Sequence, residues 1–594
     1  MIIVFILIMQ IFILFWLIRA FKSALFWIYL WQLKEYHIGR FLDHFRTHNG
    51  KKALFNIFSA SKYILFFLLL FSNNYLFYYA FLFLFVIYAA EFVIFIKNIL
   101  LRDLKIPKFT VKAIFLTTAS FALIISYLFS AAAYLEIAQW KNFFISVLAF
   151  DILSPVVFSG IIFIFQPFFV LARNSILQKA KEKISKNKNL TVIGITGSYG
   201  KTSTKEFLKT ILASKFSILA TPEHQNSEIG IAKTILSEDF DKLFSGEAIA
   251  PISFEEIGAR PGTQKDLRSP VFVVEMGSYK KGGIKLLCDI VKPKIGIVTG
   301  VNEQHMALFG SMENLLSAEG GKELSDSLPQ DGLLLVNGDY KFCMDLYKKS
   351  LRQAQGKLKI KVYSVSNDKV DSDIWTENIE VKKESLSFIV MTKDPSSRSG
   401  QVREMAHFDV DVLGKQNIQN LLAAILVTKE LGMSLEEVSE ACQNIKQEQA
   451  GITLKEGIHG INIIDSSYSS NPDGVMADLD YLNVFGPNPS TSLRVKKVII
   501  MSCLIELGKK SAEIHKEIGK KIAEICDMAV ITTKDKFEEI KTGAVINGMS
   551  EDKVKFSDNP KEIFNLITTF CKEGDAVLLE GRVPNELINL LAYK

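Results

Sequence analysis

Apolar residues crowd the first third of the chain and then change their rhythm. Runs near 2–18, 58–73, 75–96, 111–131 and 143–172 approach or exceed the ~20 residues that span a bilayer, so five transmembrane helices are predicted. The second run is the shortest, its clean apolar core reaching only from Tyr63 to Ser72. From about residue 190, strand-length runs at 190–196, 271–276, 295–299 and 333–337 alternate with helical patterns. That alternation predicts a mostly parallel sheet covered by helices on both faces. A second α/β pattern begins near Gly451, with strands at 461–465, 496–502, 528–533, 553–557 and 575–580. Helices at about 509–526, 560–572 and 584–592 intervene. The segments 245–270 and 392–405, rich in Gly, Pro, Ser and charge, predict surface insertions.

The charged residues give the front third an orientation. Lys34, Arg40, Arg46, Lys51 and Lys52 lie between the first two predicted spans. Lys97, Arg102, Lys105, Lys108 and Lys112 lie between the third and fourth, whereas Asn73-Asn74 and 132–142 are nearly free of positive charge. The positive-inside rule places both basic loops and everything after Leu171 in the cytoplasm, with the N-terminus outside. The first run has no basic residue before it, and Arg19 and Lys22 follow it, unlike a signal peptide. Residues 31–46 are amphipathic and basic and predict an interfacial helix. His37, Arg40, His44 and Arg46 on it are candidates for phosphate headgroups of membrane lipid. Asp151 is either a packing polar group or part of a functional site, and Pro155 is a candidate break in that helix. Lys179–Lys188 reads as a solvated helical linker.

A net charge of +6 on 594 residues gives no case for nucleic acid. Six cysteines are scattered through the later two-thirds without a C-x-x-C pair, the usage of reduced core thiols rather than a disulfide framework or metal cluster.

The chemistry centres on Thr191-Val-Ile-Gly-Ile-Thr-Gly197-Ser198-Tyr199-Gly200-Lys201-Thr202-Ser203. An apolar strand runs into a glycine-punctuated turn, and Lys201 and Thr202 open a helix with apolar positions at Phe207, Leu208, Ile211 and Leu212. That is the layout of a phosphate-binding loop. Backbone N–H groups and the helix N-terminus face the phosphates, Lys201 supplies the cation, and the Thr202 hydroxyl can reach Mg²⁺. Further candidates close other predicted strands: Glu275, Asn302 with His305, and Asn337. Ligands of open α/β sheets bind at that edge.

The generic motif wants a glycine where this chain has Ile195, and the variant T-G-x-x-G-K-T-S resembles the Mur ligases and their folylpolyglutamate synthase relatives. Similar landmarks follow in order: Asn226 before Ile229-Gly230, Glu275-Met-Gly, Asn302 with His305, Asn337-Gly-Asp339, and Gly414-Lys-Gln-Asn417 leading Asn420. Then come Asp465-Ser-Ser-Tyr468 through Asn471-Pro472, and Glu506-Leu-Gly508 with His515 downstream. The resemblance spans about 190–594. Behind the α-helical membrane region that the apolar runs predict over 1–178, it implies a P-loop parallel-sheet ATPase domain over 185–451 and a Rossmann-like C-terminal domain over 452–594. It also implies an ATP- and Mg²⁺-dependent amide-bond ligase of peptidoglycan precursor synthesis. Such an enzyme turns a carboxylate into an acyl phosphate and adds an amine, here D-alanyl-D-alanine to a UDP-MurNAc-tripeptide.

By that resemblance Lys201 holds the β/γ-phosphates, Thr202 and Glu275 ligate Mg²⁺, and His305 helps hold a second metal. Asn302, Asn337 and Asp339 surround the adenosine, while Asn226, Asp465, Tyr468, Asn471 and Glu506 bind substrate. The family's carbamylated lysine has two counterparts in Ser317-Ala-Glu319-Gly-Gly-Lys322-Glu323-Leu324. Either Glu319 supplies the carboxylate directly, or the lysine has moved to Lys322. Asp465-Ser-Ser-Tyr-Ser-Ser-Asn471-Pro472 alters three positions of the family pattern, and Glu580-Gly-Arg-Val583 replaces its late K-G-S-R. The family's soluble UDP-sugar domain is absent, with the membrane region in its place. A different or lipid-linked acceptor, or a nucleotide-binding membrane scaffold without ligase chemistry, are the alternatives.

Overall fold

The computed structural model describes residues 2–45, 47–71, 74–101, 104–136, 140–223, 225–245, 270–302, 305–353, 358–368, 370–393, 402–467, 471–486 and 494–592. The chain divides into two units, Met1–Asn174 and Ser175–Lys594.

The first unit is helical: α1 (Ile2–Leu33), α2 (Ile38–His44), α3 (His48–Leu54), α4 (Ile57–Phe71), α5 (Asn74–Leu100) and α6 (Val111–Glu136), with the start of α7 (Trp140–Lys186). Four helices carry stretches long and apolar enough to cross a membrane, at Leu7–Leu33, Tyr79–Leu100, Val111–Ala133 and Trp140–Lys186. α4 is apolar but has only 15 residues, about 22 Å of helix against a hydrocarbon core of about 30 Å.

Three expectations are corrected here. The first helix runs past Arg19 and Lys22 to Leu33 rather than ending near residue 18. Residues 31–46 are therefore not one amphipathic helix. They are the last turn of α1, a break where Glu35 and Tyr36 take φ of 55° and 56°, and the short α2. The side chain of Arg40 and the whole of Arg46 lie outside the described residues, as does Asn73. Third, α7 continues through Pro155 and Pro167 to Lys186; the stretch read as a helical linker is helical as far as Lys186, but Ala180 and Ile184 on it are buried rather than solvated. Proline at 155 takes away the N–H that would bond the Asp151 carbonyl. The Ser154 hydroxyl donates to that carbonyl instead, at 2.8 Å, which lets the helix pass.

Sequence reading left out two partners of Asp151. Lys62 on α4 lies 2.7 Å from Asp151 Oδ2 and 2.6 Å from Glu91 Oε2 on α5. Arg19 on α1 pairs with the other Glu91 oxygen at 3.1 Å, and Tyr88 OH donates to Asp151 at 2.9 Å. Isolated charges in apolar surroundings are costly, so opposite charges on four helices converge.

The second unit holds two sheets. The first has nine strands in the order β2-β3-β1-β4-β5-β6-β7-β8-β9. In chain order these are β1 (Thr191–Thr196), β2 (Ser217–Ala220), β3 (Pro270–Glu275), β4 (Ile295–Val298), β5 (Leu333–Asn337), β6 (Lys359–Tyr363), β7 (Ile374–Val381), β8 (Leu386–Lys393) and β9 (Val402–Val410). Pairing is parallel from β2 to β7 and antiparallel from β7 to β9. β8 and β9 reach into the segment 392–405 expected to be a surface insertion. Val402, Arg403 and Met405 there are exposed, as expected of a surface segment, while Val390 and Phe408 on either side of it are buried and Phe388 stacks on Phe408. Most of 245–270 lies outside the described residues.

The second sheet runs β10-β11-β15-β12-β13-β14, from β10 (Thr453–Glu456), β11 (Asn462–Ser466), β12 (Lys497–Met501), β13 (Met528–Ile531), β14 (Val554–Phe556) and β15 (Ala576–Glu580). It is parallel apart from the antiparallel β10. Three helices of this unit position the site: α8 (Lys201–Ala213), α9 (Asn417–Glu430) and α10 (Pro472–Leu482). On α8, Phe207, Leu208, Ile211 and Leu212 form one fully buried stripe, each contributing about 1.5–3 kcal/mol by burial. This packing, together with the buried β1, fixes the loop between them.

Candidate functional site

Residues 197–200 connect β1 to α8, and glycine is required at both ends. Gly197 has φ 144° and a Cβ there would meet Thr299 Oγ1 at 2.1 Å; Gly200 has φ 73° and a Cβ would meet Asn420 Oδ1 at 2.3 Å. A side chain at either place would have to adopt a strained backbone and displace its neighbour. Thr299 at the end of β4 donates to Tyr199 O at 2.5 Å, tying the loop to the next strand. The Lys201 ammonium folds back onto Gly197 O at 2.6 Å. It thus lies over the loop whose N–H groups and helix start suit an anion.

Around this loop the strand ends assemble a polar cluster. Thr202 Oγ1 lies 3.1 Å from both Glu275 oxygens, and Asn226 Nδ2 donates to Glu275 Oε1 at 3.1 Å. Lys205, one turn beyond Lys201 and fully buried, has its ammonium 3.4 Å from Glu275 Oε2 and 3.1 Å from Glu206 Oε1. Lys205 was missed by the sequence reading, although a lysine on the face that carries Leu208 and Leu212 was a signal. On the other side of the loop Ser198 Oγ donates to Glu319 at 2.9 Å.

Glu319 and Lys322 separate clearly. Glu319 is 2% exposed beside the loop, whereas the Lys322 side chain is 54% exposed and pairs with Asp326 at 2.5 Å. Gly321, at φ 84°, begins a new helix between them and turns Lys322 away.

The second domain also contributes. Asn302 Nδ2 donates to Asn471 Oδ1 at 3.2 Å and to Asp473 Oδ2 at 2.8 Å, and Asn471 caps α10 by accepting from Gly474 N. His305 Nδ1 lies 2.8 Å from Glu506 Oε2, and both residues take positive φ, 65° and 67°. Ala307 N donates to Glu506 O at 3.1 Å, so the two loops hold each other in register. Asp473 had no place in the sequence reading; it follows the Asn-Pro pair at the start of α10.

Other candidates are engaged elsewhere. Ser203 Oγ donates to Ala450 O at 3.2 Å. Asn337, buried, donates to Thr299 O and Gln419 Oε1, and Asp339 accepts from Ser364 Oγ and Val365 N. Asp339 and Gln419 also line a cavity of about 480 Å³ together with Val365, Gln416, Ala477 and Tyr481. Asp465 is half-buried, which opposes its charge, yet Lys455 at 2.6 Å and the Ser467 donors hold its carboxyl below the usual range. Tyr468 lies outside the described residues. Burial, then neighbouring Tyr340, pushes the Tyr199 phenol far up, so it stays neutral.

A phosphate loop on a parallel sheet, a hydroxyl–carboxylate pair at its helix start and a second α/β domain bonded to it define a two-domain P-loop nucleotide enzyme. Comparison with known proteins narrows the class. The Mur ligase middle domain matches residues 195–243 and 258–428, and the Mur ligase glutamate ligase domain matches 452–583. The chain belongs to the Mur ligase family, ATP-dependent ligases of peptidoglycan precursor synthesis. It is 26% identical over 409 residues to a UDP-N-acetylmuramoyl-tripeptide--D-alanyl-D-alanine ligase from Mycobacterium leprae, covering 66% of this chain and 71% of the relative. It is 24% identical over 393 residues to the ligase of that name from Bacillus subtilis, covering 66% and 72%. In fold it is similar to MurF from Acinetobacter baumannii (TM-score 0.54, 21% identity, 70% of this chain and 80% of that one). It is also similar to MurF ligase from Thermotoga maritima in complex with ADP (TM-score 0.53, 20% identity, 70% and 83%).

Proposed function

We propose that this chain is a multi-pass membrane ligase that adds D-alanyl-D-alanine to a UDP-MurNAc-tripeptide with ATP and Mg²⁺. The observation that carries the reading is the cluster of Lys201, Thr202, Glu275 and Asn226 with Ser198 and Glu319 opposite. The names of the relatives from Mycobacterium leprae and Bacillus subtilis supply the substrates.

Thr202 and Glu275 offer only oxygen, within 3.1 Å of each other at a helix N-terminus, a donor set that suits Mg²⁺. When bound, Mg²⁺ supplies charge neutralisation for phosphoryl transfer. Lys201 neutralises the terminal phosphates, and Asn226 and Lys205 orient the Glu275 carboxylate. His305 suits a second metal because Glu506 engages Nδ1, the arrangement in which a carboxylate orients an imidazole that ligates through its other nitrogen. Glu319 provides the carboxylate that the family obtains from a carbamylated lysine. The cavity beside Asp339 and Gln419 is a candidate for the adenosine.

The membrane reading rests on the four long apolar helices and on the basic residues of the loops at 34–52 and 97–112. A second reading, a membrane-delivered acceptor, is favoured by two observations. The family matches begin at residue 195, and Leu33, Ile38 and Leu42 around α2 are exposed apolar residues.

The test is phosphate release by the detergent-solubilised protein with UDP-MurNAc-tripeptide and D-alanyl-D-alanine, against single amino acids and other carboxylate acceptors. Release that needs a different pair of substrates would refute the assignment. A protein starting near Lys181 with unchanged kcat/KM on the soluble nucleotide would remove the second reading.

A further inference from the structure

Outside the nucleotide cluster, a second group of buried oxygens gathers where the C-terminal sheet meets the start of α9. Glu580 closes β15, Ser466 closes β11, Asp478 lies on α10, and Gln416 precedes α9. Glu580 is 1% exposed and Asp478 is 5% exposed. Asp478 accepts from Gln416 Nε2 at 2.9 Å through Oδ1 and from Ser466 Oγ at 2.6 Å through Oδ2. Those bonds use the donors at hand. Both Glu580 oxygens and Gln416 Oε1 are buried with no hydrogen-bond partner. Among the described residues, no lysine, arginine or histidine acts on either carboxylate. Burying such acceptors unpaired costs on the order of 1–3 kcal/mol each, and more where they are charged.

We propose that Glu580, Asp478 and the Gln416 amide oxygen form a binding site for a hard cation ligated wholly by oxygen. The Glu580 and Asp478 carboxyls lie close enough to share a proton, but such a proton answers one acceptor and leaves Gln416 Oε1 without a donor. A metal ion between Glu580 and Asp478 would supply the positive charge that no side chain provides, and Gln416, bonded to Asp478 through its amide nitrogen, borders the same carboxylate. Oxygen donors without nitrogen or sulfur select alkali and alkaline-earth ions over softer metals. Burial first, and then repulsion from Asp478, raises the Glu580 carboxyl, and burial raises that of Asp478 as well. The site would also join the two α/β domains. Gln416 belongs to the matched middle domain and Glu580 to the matched C-terminal one, and Gln416 and Ala477 line the cavity beside Asp339.

The test needs no turnover. Thermal unfolding of the full-length detergent-solubilised protein is followed in KCl, NaCl, MgCl₂, CaCl₂ and choline chloride at matched ionic strength. At least one metal should raise Tm saturably over choline, as expected when an ion binds only the folded state. In Glu580→Gln that rise should vanish while Tm in choline stays at or above the wild-type value. Equal Tm in all five salts, or a Glu580→Gln protein that responds like the wild type, overturns the site. Should the variant fail to fold, anomalous diffraction from wild-type crystals soaked in Rb⁺ or Mn²⁺ decides. A peak within ligating distance of Glu580 and Asp478 supports the site, and none with either ion refutes it.

Discussion

Replacing Glu319 by glutamine tests the choice between the two candidate carboxylate sources. The swap keeps the shape of a side chain that is 2% exposed and can preserve the Ser198 hydrogen bond, but it removes the negative charge. Hydrogen bonds to charged groups contribute about 1.5–3 kcal/mol, against about 1 for neutral ones. The folded protein should therefore lose only about 1 kcal/mol. Turnover should suffer more, because a group aimed at charge in the transition state contributes about 2.7–4 kcal/mol, or 10²–10³-fold in kcat. Lys322→Ala is the counterpart. Its side chain is 54% exposed and, among the described residues, pairs with Asp326, so kcat/KM should stay within two-fold and stability nearly unchanged, as for most surface ion pairs. If Glu319 supplies the carboxylate itself, wild-type turnover should also be indifferent to bicarbonate removal. The assay is steady-state ATP-dependent ligation in degassed and bicarbonate-supplemented buffer, with ATP binding measured separately. Near wild-type kcat in Glu319→Gln, loss of activity in Lys322→Ala, or a bicarbonate requirement would each refute the reasoning.

Lys201→Ala should abolish ligation, a loss of several kcal/mol of transition-state stabilisation, while the circular dichroism spectrum stays unchanged; retained turnover would remove the phosphate-loop role. His515 is fully buried, accepts from Leu504 N at 2.9 Å through Nε2, and contacts Ser511 O at 2.6 Å through Nδ1, so burial holds its pKa down. Its stabilising contribution is therefore present above the unfolded pKa of about 6.5 and is lost as pH falls toward the lower folded value. A His515→Gln variant should flatten this part of the Tm-against-pH curve between pH 7 and 5, and an unchanged slope would exclude His515 as its source. Single cysteines in a cysteine-free variant should react with an impermeant thiol reagent in intact cells near Asn74 but not within 34–52 or 97–112; labelling of the 97–112 loop would overturn the orientation.

What the sequence determined by itself are the features whose causes lie within a few residues of each other. The apolar runs of the first third, the strand–glycine–lysine pattern of 191–203 and the strand and helix spacing after Gly451 each carry their own physical signal in composition and period. The strands observed at 462–466, 497–501, 528–531 and 576–580 lie where that spacing put them. The tertiary structure decided whatever depends on meeting across the chain. Lys62 sits in an apolar helix for no local reason, and its partners are 29 and 89 residues away. His305 and Glu506 meet across 201 residues. Glu319 and Lys322 were alike as text, and the left-handed turn at Gly321 separated them, sending one side chain under the phosphate loop and the other into solvent. The buried acceptors of Glu580 and Gln416 were equally invisible, because burial and the lack of a donor are properties of a neighbourhood that local pattern does not encode.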